Sequence, residues 1–408
     1  MSKVPAGAGP ADVFRLAPGF RSGAAACGLK TSGALDLALI VAGAPAAAAG
    51  VFTTNLVQAA PVLFDRAALA RPGARFRAVV ANSGCANACT GERGLADAAA
   101  TASQTGFALG CAPEEVLVLS TGVIGVPLDL EKVTRGIRAA AARLGEDATD
   151  VTRAVMTTDT RPKTAQGEVR LPGGRAVVRG FAKGAGMIHP NMATMFAVLT
   201  TDATAPPALL ARALRGAAEE SFNRISVDGD MSTNDTVLLL ASGTSGVEVR
   251  DADEPSFTAA LAGVCVALAR QIVRDGEGAT RLVEIAVRGA ADVGQARVVA
   301  DGIARSSLVK TAIHGGDPNW GRILAAAGSC GAAIDPGRLR LAFGLPGREV
   351  WVVLGGSRAD YDERAAASLL ALDPVHIGLD LGLGDACCVV WTCDLSAEYV
   401  AINAHYTT

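Results

Sequence analysis

The sequence predicts an α/β protein with more than one structural unit, and three observations support this. The chain has 408 residues, whereas an average domain has ~150. Half of its residues are hydrophobic and 19% are charged, a balance that lets a chain bury a large core and argues against disorder. Short apolar runs alternate with longer Ala-rich segments in which apolar residues recur at helical spacing.

The predicted strands are short β-branched or apolar runs bounded by turn residues. They cover residues 76–81, 116–120, 195–200, 236–241, 282–287 and 350–354. The predicted helices carry charges opposite their apolar face and cover residues 95–109, 130–144, 208–221 and 257–273. Pro127 and Pro206 lie where two of these helices begin. A change in composition near Arg288 predicts a boundary between a large first unit and a smaller C-terminal lobe.

The charge balance excludes several classes of partner. The net charge is -3, without the basic excess that phosphate-backbone binding usually requires. The N-terminal residues contain no apolar run after a basic region, so they do not resemble a secretory signal. The most apolar window, 34–52, is rich in Ala and Gly and contains Asp36 and Pro45, so it predicts core rather than a membrane span. We therefore expect a cytoplasmic protein that acts on small molecules and binds neither nucleic acid nor membrane.

The cysteines predict neither a disulfide framework nor a metal site. Their number is odd, 9, and they are scattered over a long chain. Cys85 and Cys89 have a CxxxC spacing, but no nearby His or second Cys pair would complete a zinc site. We expect no bound metal.

The segment KGAGMIHPNMATMFAVLTTD, residues 183–202, contains the residues most indicative of chemistry. A Gly-rich turn leads to Ala193 and Thr194, which directly precede an apolar run. A threonine hydroxyl can attack the preceding carbonyl when a turn presents that peptide bond in a strained geometry. Hydrolysis of the resulting ester would cut the chain between these two residues. The alternative interpretation is that Thr194 simply begins a β-strand, where threonine is common.

Such a cut would give Thr194 a second function. Its new α-amino group would have a pKa of about 7.7–8.0, so part of it is neutral at physiological pH. The neutral amine can take the proton of the threonine hydroxyl, so that one residue supplies both nucleophile and general base.

Several further motifs carry a resemblance to a known family. They are NSGCANACTG (82–91), STGVIG (120–125), TTDTRPK (157–163), KGAGMIHPNMATM (183–195), SVDGDMSTNDT (226–236), DGEGATR (275–281), HGGDPNWGRI (314–323) and the C-terminal INAHYTT. With these motifs the chain resembles the ornithine acetyltransferases, the bifunctional glutamate N-acetyltransferase/amino-acid acetyltransferases of arginine biosynthesis. The match spans nearly the whole chain.

The resemblance implies a fold, a processing step and an assembly. The fold is a layered αββα sandwich of the autoprocessing N-terminal-threonine type. Self-cleavage between Ala193 and Thr194 would give an α chain, residues 1–193, and a β chain, residues 194–408. The two chains stay associated, with two of each in a heterotetramer. Thr121 and Gly122 of STGVIG would form the oxyanion hole.

The resemblance also implies a reaction and a set of substrate contacts. N2-acetylornithine would acetylate Thr194, ornithine would leave, and glutamate would accept the acetyl group by a ping-pong mechanism. No bound cofactor is needed, and acetyl-CoA is a candidate second donor. The implied substrate contacts are Thr157, Lys183, Thr194, Glu277, Asn403 and Thr408. By charge, we expect Lys183 to bind the substrate carboxylate and Glu277 to bind the side-chain ammonium.

Two alternatives stay open at this point. The first is an autoprocessing amidase or aminopeptidase of similar fold, in which water replaces glutamate as the acyl acceptor. The second is a non-catalytic small-molecule-binding protein in which KGAGM is an anion-binding turn.

Overall fold

The computed structural model of the protein describes residues 13–189 and 195–405. Its strands are β1 (Phe20–Ala25), β2 (Leu37–Phe52), β3 (Phe76–Cys85), β4 (Val116–Val123), β5 (Lys163–Leu171), β6 (Gly174–Lys183), β7 (Phe196–Thr201), β8 (Thr236–Ala241), β9 (Leu282–Ala290), β10 (Arg340–Phe343), β11 (Val350–Leu354), β12 (Ser357–Arg358), β13 (Val375–Asp380) and β14 (Ala386–Cys393). Its helices are α1 (Ala60–Leu69), α2 (Gly91–Leu109), α3 (Leu130–Ala141), α4 (Thr149–Ala154), α5 (Pro207–Glu219), α6 (Glu254–Arg274), α7 (Val293–Arg305), α8 (Ser307–Gly315), α9 (Trp320–Gly328), α10 (Glu363–Leu370) and α11 (Ala397–His405).

The long strand β2 belongs to two sheets. Its first half pairs with β1 and β3, and β3 continues to β4 in parallel. Its second half pairs with β8, which is followed in the sheet by β7, β6 and β5. The pairing with β3 shifts register between Val41 and Ala46. Pro45 lies in this interval, and a proline cannot donate a hydrogen bond to a neighbouring strand.

Alternating side chains divide the main body into layers. Ile40 and Val79 of the first sheet share a core with Phe181 and Leu238 of the second, so the two sheets pack face to face. On the outer face of the first sheet, strand residues pack on α2 and α3. On the outer face of the second sheet, they pack on α5 and α6. The order helix, sheet, sheet, helix confirms the predicted layered αββα sandwich.

The helix α6 lies in one outer layer of this sandwich. The segment Asp251–Arg274 is long and apolar enough to cross a membrane by length and composition alone, but half of its most apolar window is buried within the protein. Phe257, Leu261 and Leu268 are fully buried in the core that α6 shares with the second sheet. The apolar face of α6 is therefore explained by packing.

A separate six-stranded sheet forms the C-terminal lobe. Its strand order is β12-β11-β10-β13-β9-β14, and α7 covers one face with its own apolar core. Arg288, near which the sequence predicts a boundary, lies inside β9, the first strand of this sheet. The predicted division between residues 193 and 194 falls outside the described residues.

Every strand and helix predicted from the sequence is present. β8 and β11 have the predicted bounds, and β7 begins at Phe196, one residue after the predicted start. α2 begins earlier than predicted, at Gly91, and α3 ends earlier, at Ala141.

Candidate active site

Three strand ends meet at one edge of the second sheet. β6 ends at Lys183, which lies opposite Phe196 at the start of β7, and Phe196 lies opposite Thr236 at the start of β8. The residues just outside this row are therefore neighbours. They include Met195 and Asp235, whose carboxylate Oδ1 accepts the Met195 N–H at 2.9 Å.

The first sheet contributes the facing wall of the site. The parallel strands β3 and β4 end side by side, with Gly84 opposite Gly122. The Lys183 ammonium Nζ donates a hydrogen bond to the Thr121 hydroxyl at 3.2 Å and so joins the two sheets. This contact lies where β6 of the second sheet and β4 of the first sheet end.

A cavity of about 340 Å³ lies at this junction. Of the residues that the resemblance implies for the oxyanion hole and the substrate contacts, the structure brings these to the cavity wall: Thr121, Gly122, Thr157, Lys183, Glu277 and Asn403. Ala193, Thr194 and Thr408 lie outside the described residues. The described residues nearest to Thr194 along the chain are His189 on one side and Met195 on the other.

The backbone at Gly122 has a conformation that only glycine fits. Its φ is 132°, and a Cβ built there would lie 2.4 Å from the carbonyl carbon of Gly84. Asn234 connects β4 to the residue that follows β3, because its side-chain amide donates to the backbone oxygens of Ala86 and Ser120 at 2.7 and 2.8 Å. Thr121 accepts from Lys183, so its own hydroxyl hydrogen remains to be donated to another acceptor.

Lys183 is buried, and its charge is supported from behind the cavity. Burial lowers the pKa of Lys183, while the negative charge of Asp159 opposes that effect. Asp159 also accepts the Gly184 N–H at 2.7 Å and pairs with the buried Lys163 at 2.5 Å. Burial would raise the pKa of Asp159, but Lys163 and Lys183 lower it to about 2. An ionised Asp159 therefore favours the ammonium form of Lys183.

Glu277 also lines the cavity and lies in the turn after α6. Its backbone N–H donates to the Ala185 oxygen at 2.9 Å. Its carboxylate fills the space that a Cβ at Gly186 would need, since such an atom would lie 2.4 Å away. The Asn403 side-chain amide donates to Glu277 Oε2 at 2.8 Å. Asn403 belongs to α11, so this bond fixes the C-terminal helix against the site.

Two acidic residues of the segment SVDGDMSTNDT were not assigned a function from the sequence. Asp228 accepts the N–H groups of Met187 and Ile188 at 2.5 and 2.9 Å, which holds Met187 at a φ of 56°. Burial raises the pKa of Asp228 to about 6. Asp235 binds the N–H of Met195. The sequence feature that could have identified them is a pair of carboxylates close to the start of an apolar strand, in a segment otherwise rich in small polar residues.

Comparison with known proteins assigns the chain to a family. The model of the ArgJ family matches residues 21–408. The chain belongs to the ArgJ family. The "Arginine biosynthesis bifunctional protein ArgJ" of Symbiobacterium thermophilum is 48% identical over 396 residues, which cover 96% of this chain and 97% of that protein. The protein of the same name from Thermus thermophilus is 46% identical, with 97% and 99% covered.

A solved structure is also similar to this chain. The ornithine acetyltransferase of Mycobacterium tuberculosis, crystallised with ornithine, is 43% identical, with a TM-score of 0.40 over 43% of this chain and 92% of that one. The catalytic and substrate-binding roles of the cavity residues stay predictions. What the structure adds is that six of them face one cavity.

Proposed function

We propose that this ArgJ-family chain transfers the acetyl group of N2-acetylornithine to glutamate through an acetylated Thr194. The protein is an acetyltransferase of arginine biosynthesis. The observation that carries the proposal is the hydrogen bond from Lys183, at the end of β6, to Thr121 in β4. Lys183 lies opposite Phe196 at the start of β7, the strand that Thr194 precedes in the chain. Because Thr121 accepts this hydrogen bond, its own hydroxyl hydrogen can be donated to the oxyanion that forms during acyl transfer, close to the strand that follows Thr194.

The first step is self-cleavage. The Thr194 hydroxyl oxygen attacks the Ala193 carbonyl carbon, the Ala193–Thr194 C–N bond breaks, and an ester forms. Water then hydrolyses the ester, which leaves the Ala193 carboxylate and the free Thr194 hydroxyl and amine. The hydrogen bonds that Met187 and Ile188 donate to Asp228 support this step, because they fix the chain that leads into the cleaved segment.

Acetyl transfer uses the same hydroxyl twice. The neutral α-amino group takes the hydroxyl proton as the oxygen attacks the acetyl carbon of N2-acetylornithine. The oxyanion accepts hydrogen bonds from the Thr121 hydroxyl and the Gly122 N–H, and each such donor lowers the barrier by ~3 to 4 kcal/mol. The C–N bond to ornithine breaks as the amine returns the proton to the leaving nitrogen. Glutamate then reverses the sequence and leaves as N-acetylglutamate.

The charges around the cavity suit an amino acid with a cationic side chain. Glu277, Asp228 and Asp230 are acidic, and Lys183 supplies a buried cation. We propose that Glu277 binds the ornithine side-chain ammonium and that Lys183 lies near the carboxylate. Thr157, Asn403 and Thr408 complete the proposed contacts. The reaction as written uses no bound metal or cofactor, and acetyl-CoA is the proposed second donor.

The proposal extends to assembly and location. We propose that the α and β chains remain bound after cleavage, that two of each form the molecule, and that it works in the cytoplasm.

Mass analysis of the denatured protein, together with an acetyl-transfer assay, tests the proposed function. We expect two fragments divided before Thr194, and N-acetylglutamate formed in step with ornithine. Thr194→Ala should give an uncut chain without transfer. Release of acetate at the same rate with and without glutamate would instead indicate an amidase, and an uncut wild-type chain with full activity would contradict the mechanism.

A further inference from the structure

Three charged side chains lie buried behind the cavity wall, where the proposed reaction does not bring them into contact with substrate. Lys163, the first residue of β5, is 0% exposed. Its Nζ lies 2.5 Å from Asp159 Oδ1, 2.5 Å from Asp275 Oδ2 and 3.4 Å from the Arg161 oxygen. The side chains of Asp159 and Asp275 are 0% and 3% exposed. One ammonium group therefore pairs with two carboxylates away from water, and none of the three side chains lines the cavity.

Asp159 holds two backbone segments that carry cavity residues. Its Oδ2 accepts the N–H of Thr157 at 3.0 Å. Its Oδ1 accepts the N–H of Gly184, the residue after Lys183, at 2.7 Å. Thr157 and Lys183 both line the cavity. The position of this one carboxylate therefore sets the positions of two parts of the cavity wall.

Asp275 holds a third part of the wall, the turn that carries Glu277. It directly follows the last residue of α6. Its Oδ2 accepts the Thr160 N–H at 3.0 Å, and its Oδ1 accepts the hydrogen of the Thr160 hydroxyl. Two residues later, the Glu277 N–H donates to the Ala185 oxygen at 2.9 Å. The turn after α6 is thus joined both to the segment before β5 and to the chain that follows β6.

Stability alone does not account for three buried charges. Taking charges out of water is costly, so a buried ion pair often stabilises a protein no more than apolar side chains of similar volume do. A buried network in which every member is paired does fix geometry. Burial would raise the pKa of Asp159, but Lys163 is the main influence that lowers it to about 2. Asp159 is therefore ionised at physiological pH, and its ion pair with Lys163 joins the segments that carry the cavity residues.

We propose that Lys163 is a positioning residue for recognition of the substrate charges. It holds the three wall segments at one separation, so that Lys183 and Glu277 meet the carboxylate and the side-chain ammonium of the same amino acid. The inference rests on the proposed function, from which it takes these two assignments. Loss of the Lys163 ammonium would leave two adjacent buried carboxylates that repel each other. A displacement of ~1 Å in groups that position a substrate can cost about 10²-fold in rate.

Ornithine and norvaline test this role, because they share a carbon skeleton and only ornithine carries the side-chain ammonium. Titration calorimetry of the full protein measures Kd for each. We expect the wild type to bind ornithine about tenfold or more tightly than norvaline, because only ornithine forms a charge-assisted hydrogen bond with Glu277. In Lys163→Met we expect the affinity for ornithine to fall about tenfold or more and the affinity for norvaline to fall less, so that most of the preference is lost.

A charge-balanced variant separates positioning from stability. Lys163→Met combined with Asp275→Asn leaves Asp159 and Lys183 as a balanced pair, and the asparagine oxygen can still accept the Thr160 N–H. We expect the urea midpoint of this protein to recover relative to Lys163→Met alone. The preference for ornithine should not recover, because no cation joins the wall segments. If Lys163→Met alone does not fold, this double variant is used for every measurement.

Lys310 provides a matched control. It is also a buried lysine, 3% exposed, and its Nζ donates to the Thr392 hydroxyl at 3.2 Å. This contact joins α8 to β14 in the C-terminal lobe, and Lys310 does not line the cavity. Lys310→Met should therefore lower stability without changing the preference for ornithine.

Amide hydrogen exchange reports the same positions without any ligand. Without Lys163 we expect faster exchange at the N–H groups of Thr157 and Gly184, and unchanged exchange in the C-terminal lobe. Unchanged exchange at these two groups, an unchanged preference for ornithine, or an equal loss of preference in Lys310→Met would overturn the role of Lys163. A wild type that binds ornithine no more tightly than norvaline would instead overturn the ammonium assignment of the proposed function, and hydrogen exchange would then decide whether Lys163 positions the wall.

Discussion

The hydrogen bond from Lys183 to Thr121 joins a buried cation to a proposed oxyanion donor. Thr121→Val keeps the shape of the side chain but removes its hydroxyl. We expect kcat to fall about 10²- to 10³-fold, as for other oxyanion donors, with little change in KM. Steady-state kinetics with N2-acetylornithine and glutamate measure this. Thr121→Ser, which keeps the hydroxyl, should retain most of the activity, and equal loss in both variants would contradict the assignment.

Glu277 is the residue to which we assign the substrate ammonium. Glu277→Gln removes the charge but keeps an oxygen to accept the Asn403 amide. We expect KM for N2-acetylornithine to rise about tenfold or more, because a charge-assisted hydrogen bond contributes ~1.5 to 3 kcal/mol, while kcat changes less. Glu277→Lys should raise KM further. An unchanged KM in both variants would show that another group binds the ammonium.

For single residues, the sequence could predict which residues line the site but not every residue with which they form hydrogen bonds. The motifs identify six residues that the structure finds around one cavity. The functions of Asp228 and Asp235 depend on contacts with backbone N–H groups about 40 positions away. No local pattern encodes such contacts, because they exist only once the ends of β6, β7 and β8 lie side by side.

Among the elements, those with strong local signals were predictable. β8 is a run of β-branched and leucine side chains that ends in Ala241, it is buried at every position, and its bounds match the prediction. β2 carried a weaker signal, because Ala and Gly dominate its sixteen residues. Its apolar character predicts burial, but only pairing with two different sheets makes it a strand. The change in composition near Arg288 precedes the helix α7, which was not among the predicted helices although its buried residues, Ala296, Val299, Ala300, Ile303 and Ala304, recur at helical spacing.

In the whole molecule, the proposed cut separates strands that are neighbours in one sheet. The sheet order runs β2, β8, β7, β6, β5. β2, β5 and β6 would belong to the α chain, whereas β7 and β8 would belong to the β chain. Two strands of one fragment are thus inserted between strands of the other, and apolar cores cover both faces.

This arrangement predicts that cleavage does not let the fragments separate. Removing β7 and β8 breaks the hydrogen bonds to β2 and to β6 and exposes both cores, which amounts to global unfolding. In a urea titration we expect the fragments to elute together on size exclusion until the far-UV circular dichroism signal is lost. The uncut Thr194→Ala protein is the control for unfolding without dissociation. Fragments that separate at lower urea and keep their secondary structure would show that the two chains meet at a docked interface instead of sharing a sheet.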